Sequence, residues 1–203
     1  MRGLDEETLD AIREIVNIGV GRAAGQLQEM TGSHIRLRIP DISLLPVSEI
    51  RKLEDTYFKA NILSAVQLDF KGTFSGVSVV IFPQESAAAL VMLLTGENEN
   101  SPEMDAIRIE ALKEVGNIIM NAVMGSIANV LSEQLTYSLP AYYEGPLSGM
   151  TWLENKEMID EYIMLARTNF LLESLNIEGD ILLVLEIGSL SRLVESVQMA
   201  GSR

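Results

Sequence analysis

The sequence contains the same column of polar side chains twice: an acid, a glutamate and an asparagine at positions i, i+4 and i+7. The columns are Asp10, Glu14 and Asn17 and, 100 residues later, Glu110, Glu114 and Asn117. Residues at this spacing share one face of an α-helix. Each face offers carboxylates that can pair with a cation, and a neutral amide that both donates and accepts hydrogen bonds. The pattern predicts two similar polar surfaces on two helices.

The residues one turn beyond each column differ between the copies. Gly21 follows the first column and Asn121 follows the second. Because Gly21 has no side chain, it would let a partner approach the helix closely. We expect both positions, together with Asp10 and Glu110, to contact a partner protein.

A solvated helix surface is the simpler interpretation of one such column. Its repetition favours a function, because asparagine has a poor helix propensity and an unconstrained surface more often carries lysine, glutamate or alanine. Ancestry from a duplicated segment would also preserve some identity. The repetition alone therefore leaves both interpretations open.

Two long amphipathic helices are predicted to carry the columns. The first runs from Leu4 to about Met30 and ends at Gly32, and the second runs from Glu103 to about Leu135. Apolar residues recur in both at helical spacing and are expected to face the core. They are Leu9, Ile12, Val16, Ala23, Leu27 and Met30 in the first helix, and Ile109, Leu112, Val115, Ile119, Val123, Ile127 and Val130 in the second.

Extended segments and one further helix follow each long helix. The first half has extended patterns at Thr31–Ile39, Ile42–Val47, Phe58–Phe70 and Thr73–Phe82, then a helix from Pro83 to about Leu94 that ends at Gly96. The polar residues Glu97–Ser101 connect to Pro102 at the next helix start. The second half has extended patterns at Tyr137–Tyr143, Ile159–Leu172 and Ile177–Ile187, with Glu178-Gly179-Asp180 near the last turn, and a helix at Ser189–Met199 with Ser189 as a cap. Pro146–Glu157 is ambiguous, and a short helix that carries Trp152 is one interpretation.

The order helix, strand, strand, strand, helix thus occurs twice. It predicts a mixed α/β (α+β) fold with an internal pseudo-two-fold axis, in which one sheet carries the two long helices. We expect one domain over residues 1–203, with internal halves of about 1–100 and 101–203.

Composition excludes several classes of function. The chain has 203 residues, a net charge of −14, one histidine and no cysteine. The negative charge disfavours nucleic acid and anionic membranes, and disulfides or thiolate metal sites cannot form. His34 alone can supply neither a histidine-rich zinc site nor, without a G-x-S-x-G turn, a serine triad. No apolar run approaches the roughly 20 residues of a membrane span, and acids near Met1 argue against a secretory signal. We expect a cytoplasmic protein.

The segment Gly19-x-Gly21-x-x-Ala24 loosely matches a dinucleotide-binding fingerprint. That fingerprint must follow a strand and open a helix, whereas this segment lies within a helical pattern. Small residues for close helix packing are the preferred interpretation.

The repeated pattern resembles the CheC branch of the CheC/CheX/FliY phosphatase family. The resemblance rests on Asp/Ser-x-x-x-Glu-x-x-Asn occurring twice about 100 residues apart, on residues 14–24 for the first helix and on residues 114–118 for the second. Two copies favour CheC over CheX, which carries one, and no flagellar-switch extension is seen, which favours CheC over FliY. Glu110 departs from the family pattern, which has Asp or Ser there.

The resemblance implies dephosphorylation of CheY, the chemotaxis response regulator. Glu14 and Glu114 would dock against the regulator by pairing with its active-site lysine, while Asn17 and Asn117 would enter its active site and hold the attacking water. No cofactor of its own is implied, because the regulator would bring Mg²⁺. The receptor deamidase CheD is a further implied partner in many family members.

Two other functions remain open at this point. The chain could be a non-catalytic adaptor that sequesters a response regulator or CheD through the same helices. It could also be a structural domain related to flagellar switch components, with inert polar faces. The sequence leaves open which regulator is the substrate, whether both sites act, and the oligomeric state.

Overall fold

A computed structural model gives the fold of the chain over nine ranges of residues. They are 6–32, 34–49, 52, 54–58, 62–96, 104–150, 162–172, 175–185 and 189–201. The described helices are α1 (Glu6–Thr31), α2 (Gln84–Thr95), α3 (Met104–Leu131) and α4 (Ser189–Gly201). The described strands are β1 (Ile35–Pro46), β2 (Leu63–Lys71), β3 (Gly76–Pro83), β4 (Thr136–Tyr137), β5 (Ala141–Gly145), β6 (Tyr162–Leu172) and β7 (Leu175–Leu185). The predicted Glu97–Ser101 connector, Pro102 and Trp152 lie outside these ranges.

Glycines in the left-handed conformation end two of the helices where the sequence predicts. Gly32 and Gly96 both have φ of +68°. The N–H of Gly32 donates to the carbonyl of Gln28 and that of Gly96 to the carbonyl of Met92, each at 2.9 Å. These bonds satisfy carbonyls that a helix end would otherwise leave without a partner.

All seven described strands belong to one antiparallel sheet. The strand order is β1-β6-β7-β3-β2, and β4 and β5 both pair with the outer side of β2. Exchanging β1 with β5, β2 with β6 and β3 with β7 leaves this order unchanged. The predicted mixed α/β fold with a pseudo-two-fold repeat is therefore confirmed.

The two edges of the sheet carry the same irregularity. Between Arg38 and Asp41, β1 has one residue more than β6 opposite it. The gap between β4 and β5 likewise holds one residue more than the part of β2 that faces it. Pro40 and Pro140 lie in these gaps, 100 residues apart. Proline is tolerated there because it cannot donate to a strand ladder and is confined to edges and bulges.

The sheet separates two apolar cores. The larger core lies between the sheet and the helices, where α1 and α3 pack directly on one another. The smaller core lies on the opposite face and is covered by the short helical turns Glu54–Phe58 and Leu147–Gly149. Each long helix therefore packs against the sheet and the other long helix and keeps one side exposed to solvent.

Several predicted boundaries are wrong for local reasons. The Thr31–Ile39 and Ile42–Val47 segments form one bulged strand, β1, and β2 begins at Leu63 instead of Phe58, which belongs to a helical turn. The helix α3 ends at Leu131 because Ser132 takes a left-handed φ of 57°.

Glu178-Gly179-Asp180, predicted to lie near the turn between the last two strands, is inside the second of these strands. Gly179 pairs with Thr168 inside the ladder between β6 and β7, and the hairpin closes between Leu172 and Leu175. The glycine and acids of this segment therefore resemble a turn sequence although they belong to a strand.

Two residues predicted to face the core are exposed. Met30 is 45% exposed and Val130 is 41% exposed. Both lie in the last turn of a long helix, and in α3 the buried side of that turn is occupied by Ala128 and Leu131. The apolar stripe therefore ends about one turn before the helix does.

One helix in the described part of the chain is long and apolar enough to cross a membrane. It is the Asp105–Leu131 stretch of α3, and 56% of its most apolar window is buried inside the protein. Its apolar residues serve the core between helices and sheet, as is common for a central helix.

Candidate functional site

The two predicted columns lie on the outer sides of α1 and α3. Glu14 and Glu114 are exposed, and Asn17 and Asn117 are partly exposed. The residues that follow each glutamate point inward: Ile15 and Val16 in α1, and Val115 and Gly116 in α3, are buried. The hydrophobic stripe thus turns both columns toward solvent, where a partner could reach them.

The first acid of each column pairs with a basic residue three positions later on its own helix. Asp10 forms an ion pair with Arg13, and Glu110 pairs with Lys113 at 2.9 Å. Exposed pairs of this kind contribute little to stability, so a charged partner can compete for them. The structure thus places both predicted docking acids at equivalent positions despite the change from aspartate to glutamate.

Close contacts of two glycines hold the helices that carry the columns. A Cβ atom at Gly19 would lie 2.5 Å from the Cα atom of Val123 in α3. A Cβ atom at Gly116 would lie 2.6 Å from the Cβ atom of Val66 in β2. Gly19 therefore serves helix packing, as predicted, and the dinucleotide-loop alternative is excluded because this glycine is inside α1. The small residues bring α1 against α3 and α3 against the sheet.

A polar contact also joins the two helices. Arg22 Nη1 donates to the hydroxyl of Ser126 at 3.1 Å. Together with the contact between Gly19 and Val123, this bond makes α1 and α3 one packed unit that carries both columns.

The positions one turn beyond the columns behave differently. Gly21 is exposed, and no atom lies within 4 Å of where its Cβ would be. Asn121 is also exposed, but its Nδ2 donates to Oδ1 of Asn117 at 2.7 Å. The sequence predicted partner contact for both residues and gave no indication that Asn121 bonds to the asparagine of its own column.

A polar cluster near the beginning of α3 was not predicted. Arg108 of α3 pairs with Glu144 of β5, whose carboxylate also accepts a 3.0 Å hydrogen bond from the hydroxyl of Tyr142. That hydroxyl lies 3.2 Å from the hydroxyl of Ser64. Burial raises the pKa of Tyr142 above its ordinary value of 10.0, so the hydroxyl stays protonated as a donor. The cluster ties α3 to the sheet edge, and no spacing rule links these four residues.

The remaining candidate groups from the sequence are His34 and any cluster of side chains that could bind a metal ion. His34 is exposed, lies 3.1 Å from the side-chain oxygen of Gln28, and accepts a hydrogen bond from Arg36. The described residues contain no group of three or more His, Asp or Glu side chains arranged to hold a metal ion. The absence of a resident cofactor stays a prediction.

Comparisons with known proteins agree on one group of relatives. The family model described as "Chemotaxis phosphatase CheX" matches residues 64–159, which include the second column and exclude the first. The flagellar motor switch phosphatase FliY of Bacillus subtilis is 26% identical over 169 residues, covering 82% of this chain and 43% of FliY. The CheY-P phosphatase CheC of Bacillus subtilis is 28% identical over 142 residues, covering 68% of this chain and 66% of CheC. The matched part of the chain spans less than two thirds of either relative.

Solved structures share the fold across nearly the whole chain. FliY of Thermotoga maritima superposes with a TM-score of 0.78 and 18% identity, covering 98% of this chain and 99% of that structure. CheX of Borrelia burgdorferi, solved as a complex with CheY, BeF3 and Mg²⁺, superposes with a TM-score of 0.57 and 16% identity, covering 86% of this chain and 99% of that structure. At these identities the likeness establishes the fold.

Proposed function

We propose that this chain, which is similar in sequence to CheC, CheX and FliY proteins and shares the fold of FliY, hydrolyses the aspartyl phosphate of a CheY-type response regulator. One observation carries the proposal: the same Glu and Asn pair stands on the solvent-facing side of two equivalent helices, 100 residues apart. The names of FliY and CheC as phosphatases, and the solved complex of CheX with CheY, support it.

The chemistry needs little machinery from this chain. An aspartyl phosphate is an activated acyl phosphate, and phosphoryl transfer is promoted mainly by positioning and charge neutralisation. Water attacks phosphorus, the bond between phosphorus and the aspartyl oxygen breaks, and the aspartate leaves as a carboxylate. The proton lost by the water passes to the phosphate or to solvent. The regulator would supply Mg²⁺ and a lysine, which neutralise the phosphoryl charge.

The proposed role of Asn17 and Asn117 is to hold that water in line with the leaving oxygen. An amide can accept a hydrogen bond from water without carrying a charge. A carboxylate in the same place would be repelled by the phosphoryl oxygens. The neutral side chain at these two positions therefore suits the proposed step better than the acids that surround it.

The proposed role of Glu14 and Glu114 is docking. Each stands one turn before its asparagine and is exposed, so its carboxylate can reach a lysine on a partner while the asparagine enters the partner's site. The net charge of −14 adds long-range attraction toward a basic surface. Asp10 and Glu110 would extend the same acidic face, and CheD is a second proposed partner on family resemblance alone.

Turnover separates a phosphatase from an adaptor. We would measure phosphate release from phosphorylated CheY with this protein at about one hundredth of the regulator concentration. A phosphatase releases many equivalents of phosphate per protein molecule above the spontaneous rate. An adaptor binds the regulator and leaves the rate unchanged or slower, and that result would refute the proposal.

A structural role in the flagellar switch is the second candidate, because FliY is named a flagellar motor switch phosphatase. Co-purification with switch proteins, in parallel with the regulator, tests it. Binding to switch proteins that survives Asn17→Ala with Asn117→Ala, without any phosphate release by the unmodified protein, would favour this role.

A further inference from the structure

The asparagine of the second column is hydrogen-bonded to the residue one turn beyond it. In α3, Asn121 Nδ2 donates to Asn117 Oδ1 at 2.7 Å. The matching position in α1 is Gly21, which has no side chain that could donate. Both columns carry an exposed glutamate, a partly exposed asparagine and a preceding acid–base pair.

We propose that Asn121 is a positioning residue that orients the amide of Asn117 for its water. The inference rests on the proposed phosphatase function and adds a supporting residue to its second site. It also changes the expected role of Asn121 from contacting the partner to holding a neighbouring side chain.

The hydrogen bond from Asn121 leaves the amide oxygen of Asn117 able to accept a second hydrogen bond, from water. An amide oxygen has two lone pairs, so one can accept from Asn121 while the other faces the partner. The bond also restricts rotation of the Asn117 amide, which an exposed asparagine side chain otherwise retains. Restricting that rotation before the regulator binds removes part of the entropy cost of ordering the side chain in the reaction.

Substitution of Asn121 should leave the fold intact. The side chain is exposed and donates a hydrogen bond to Asn117, and alanine is a better helix former than asparagine. Asn129 is a matched control, because it is an exposed asparagine on the same helix, two turns further along.

The test isolates the second site with Asn17→Ala. In that background, Asn121→Ala should lower kcat for phosphate release about fivefold, the effect of losing one neutral hydrogen bond, with KM unchanged. Asn121→Gln, which keeps an amide donor, should recover part of the rate, and Asn129→Ala should have no effect. A lower kcat with an unchanged KM indicates an interaction that stabilises the transition state more than it contributes to docking.

Three results would overturn the proposal. One is an unchanged or higher kcat in Asn121→Ala, which would mean that the bond is irrelevant or blocks the water. Another is a rise in KM alone, which would assign Asn121 to docking. The third is a loss of kcat from Asn121→Ala that is equally large when Asn117→Ala is already present. Asn121 could not then act through Asn117.

A failure of the phosphatase function itself gives a different result. It would leave the unmodified protein without turnover, whatever residue 121 is. The side-chain amide signals of Asn117 and Asn121 in NMR spectra provide a readout that does not depend on activity. Asn121→Ala should shift the Asn117 signals strongly and Asn129→Ala should not, and unshifted Asn117 signals would contradict the hydrogen bond.

Discussion

Gly19 of α1 lies so close to Val123 of α3 that a methyl group on residue 19 would come within 2.5 Å of the Val123 Cα atom. The neighbour is backbone, so it cannot rotate away. We expect Gly19→Ala to lower the free energy of unfolding by about 1–3 kcal/mol, as overpacking does. Urea unfolding followed by circular dichroism measures this. Gly25→Ala, with nothing within 4 Å of its Cβ, should be neutral or stabilising, and equal losses in both variants would contradict the close contact.

The paired asparagines are predicted to carry the chemical step. Asn17→Ala combined with Asn117→Ala should reduce phosphatase activity about 10²–10³-fold, by analogy with the loss of a positioned polar group in other enzymes. Both side chains are partly exposed, so the melting temperature should barely change. Phosphate release and thermal melting are measured on the same preparation. A folded double variant with full activity would exclude the proposed mechanism.

The glutamates are predicted to act in docking more than in chemistry. With the first site silenced by Asn17→Ala, Glu114→Lys should raise KM for the regulator and weaken its measured binding, while kcat changes less. Glu195→Lys in the same background makes the same change in net charge on an exposed position of α4. If Glu114→Lys and Glu195→Lys weaken binding equally, the effect comes from long-range electrostatics, and a local contact of Glu114 with the regulator is refuted.

Gly21 is predicted to matter through the space that it leaves open. In an Asn117→Ala background, Gly21→Ala should stabilise the chain by up to about 1 kcal/mol, because glycine is a poor helix former. The same methyl group should raise KM several-fold if the regulator approaches the helix backbone closely there. Gly25→Ala is the control for stability without docking. An unchanged KM in Gly21→Ala would remove this residue from the docking surface.

Ser78 is a predicted source of instability. It is fully buried in β3 between Leu68 and Leu183, and its hydroxyl has no hydrogen-bond partner among the described residues. We expect Ser78→Ala to raise the free energy of unfolding by about 1 kcal/mol, because it removes an unsatisfied polar group. Ser64→Ala should do the opposite, since it breaks the contact with Tyr142. A destabilised Ser78→Ala would indicate a partner for that hydroxyl.

The sequence allowed the helices and their orientation to be predicted because those depend on local spacing. The column at Asp10, Glu14 and Asn17 lies opposite a periodic apolar stripe, and Gly32 ends the helix through its own backbone freedom. Such features need no knowledge of distant residues. The same holds for the repeat, which a comparison of the chain with itself reveals.

The remaining features depend on residues far apart in the chain. Arg108 meets Glu144, and Arg22 meets Ser126, only because the fold brings their elements together. The bond between Asn121 and Asn117 is local, but nothing in the spacing distinguishes an amide that bonds its neighbour from one that faces solvent. Glu178-Gly179-Asp180 lies within β7 and away from the turn, because a strand can carry glycine and acids when its partner strand supplies the register.

The order of the strands has a consequence for how the protein can come apart. The first strand of each half pairs with a strand of the other half: β1 joins β6, while β4 and β5 join β2. The outer strand of each half is therefore hydrogen-bonded to a strand of the other half. Neither should persist as an independent folding unit, so the two helical faces should be lost together in a single cooperative melting transition, and fragments severed near residue 100 should regain structure only when mixed.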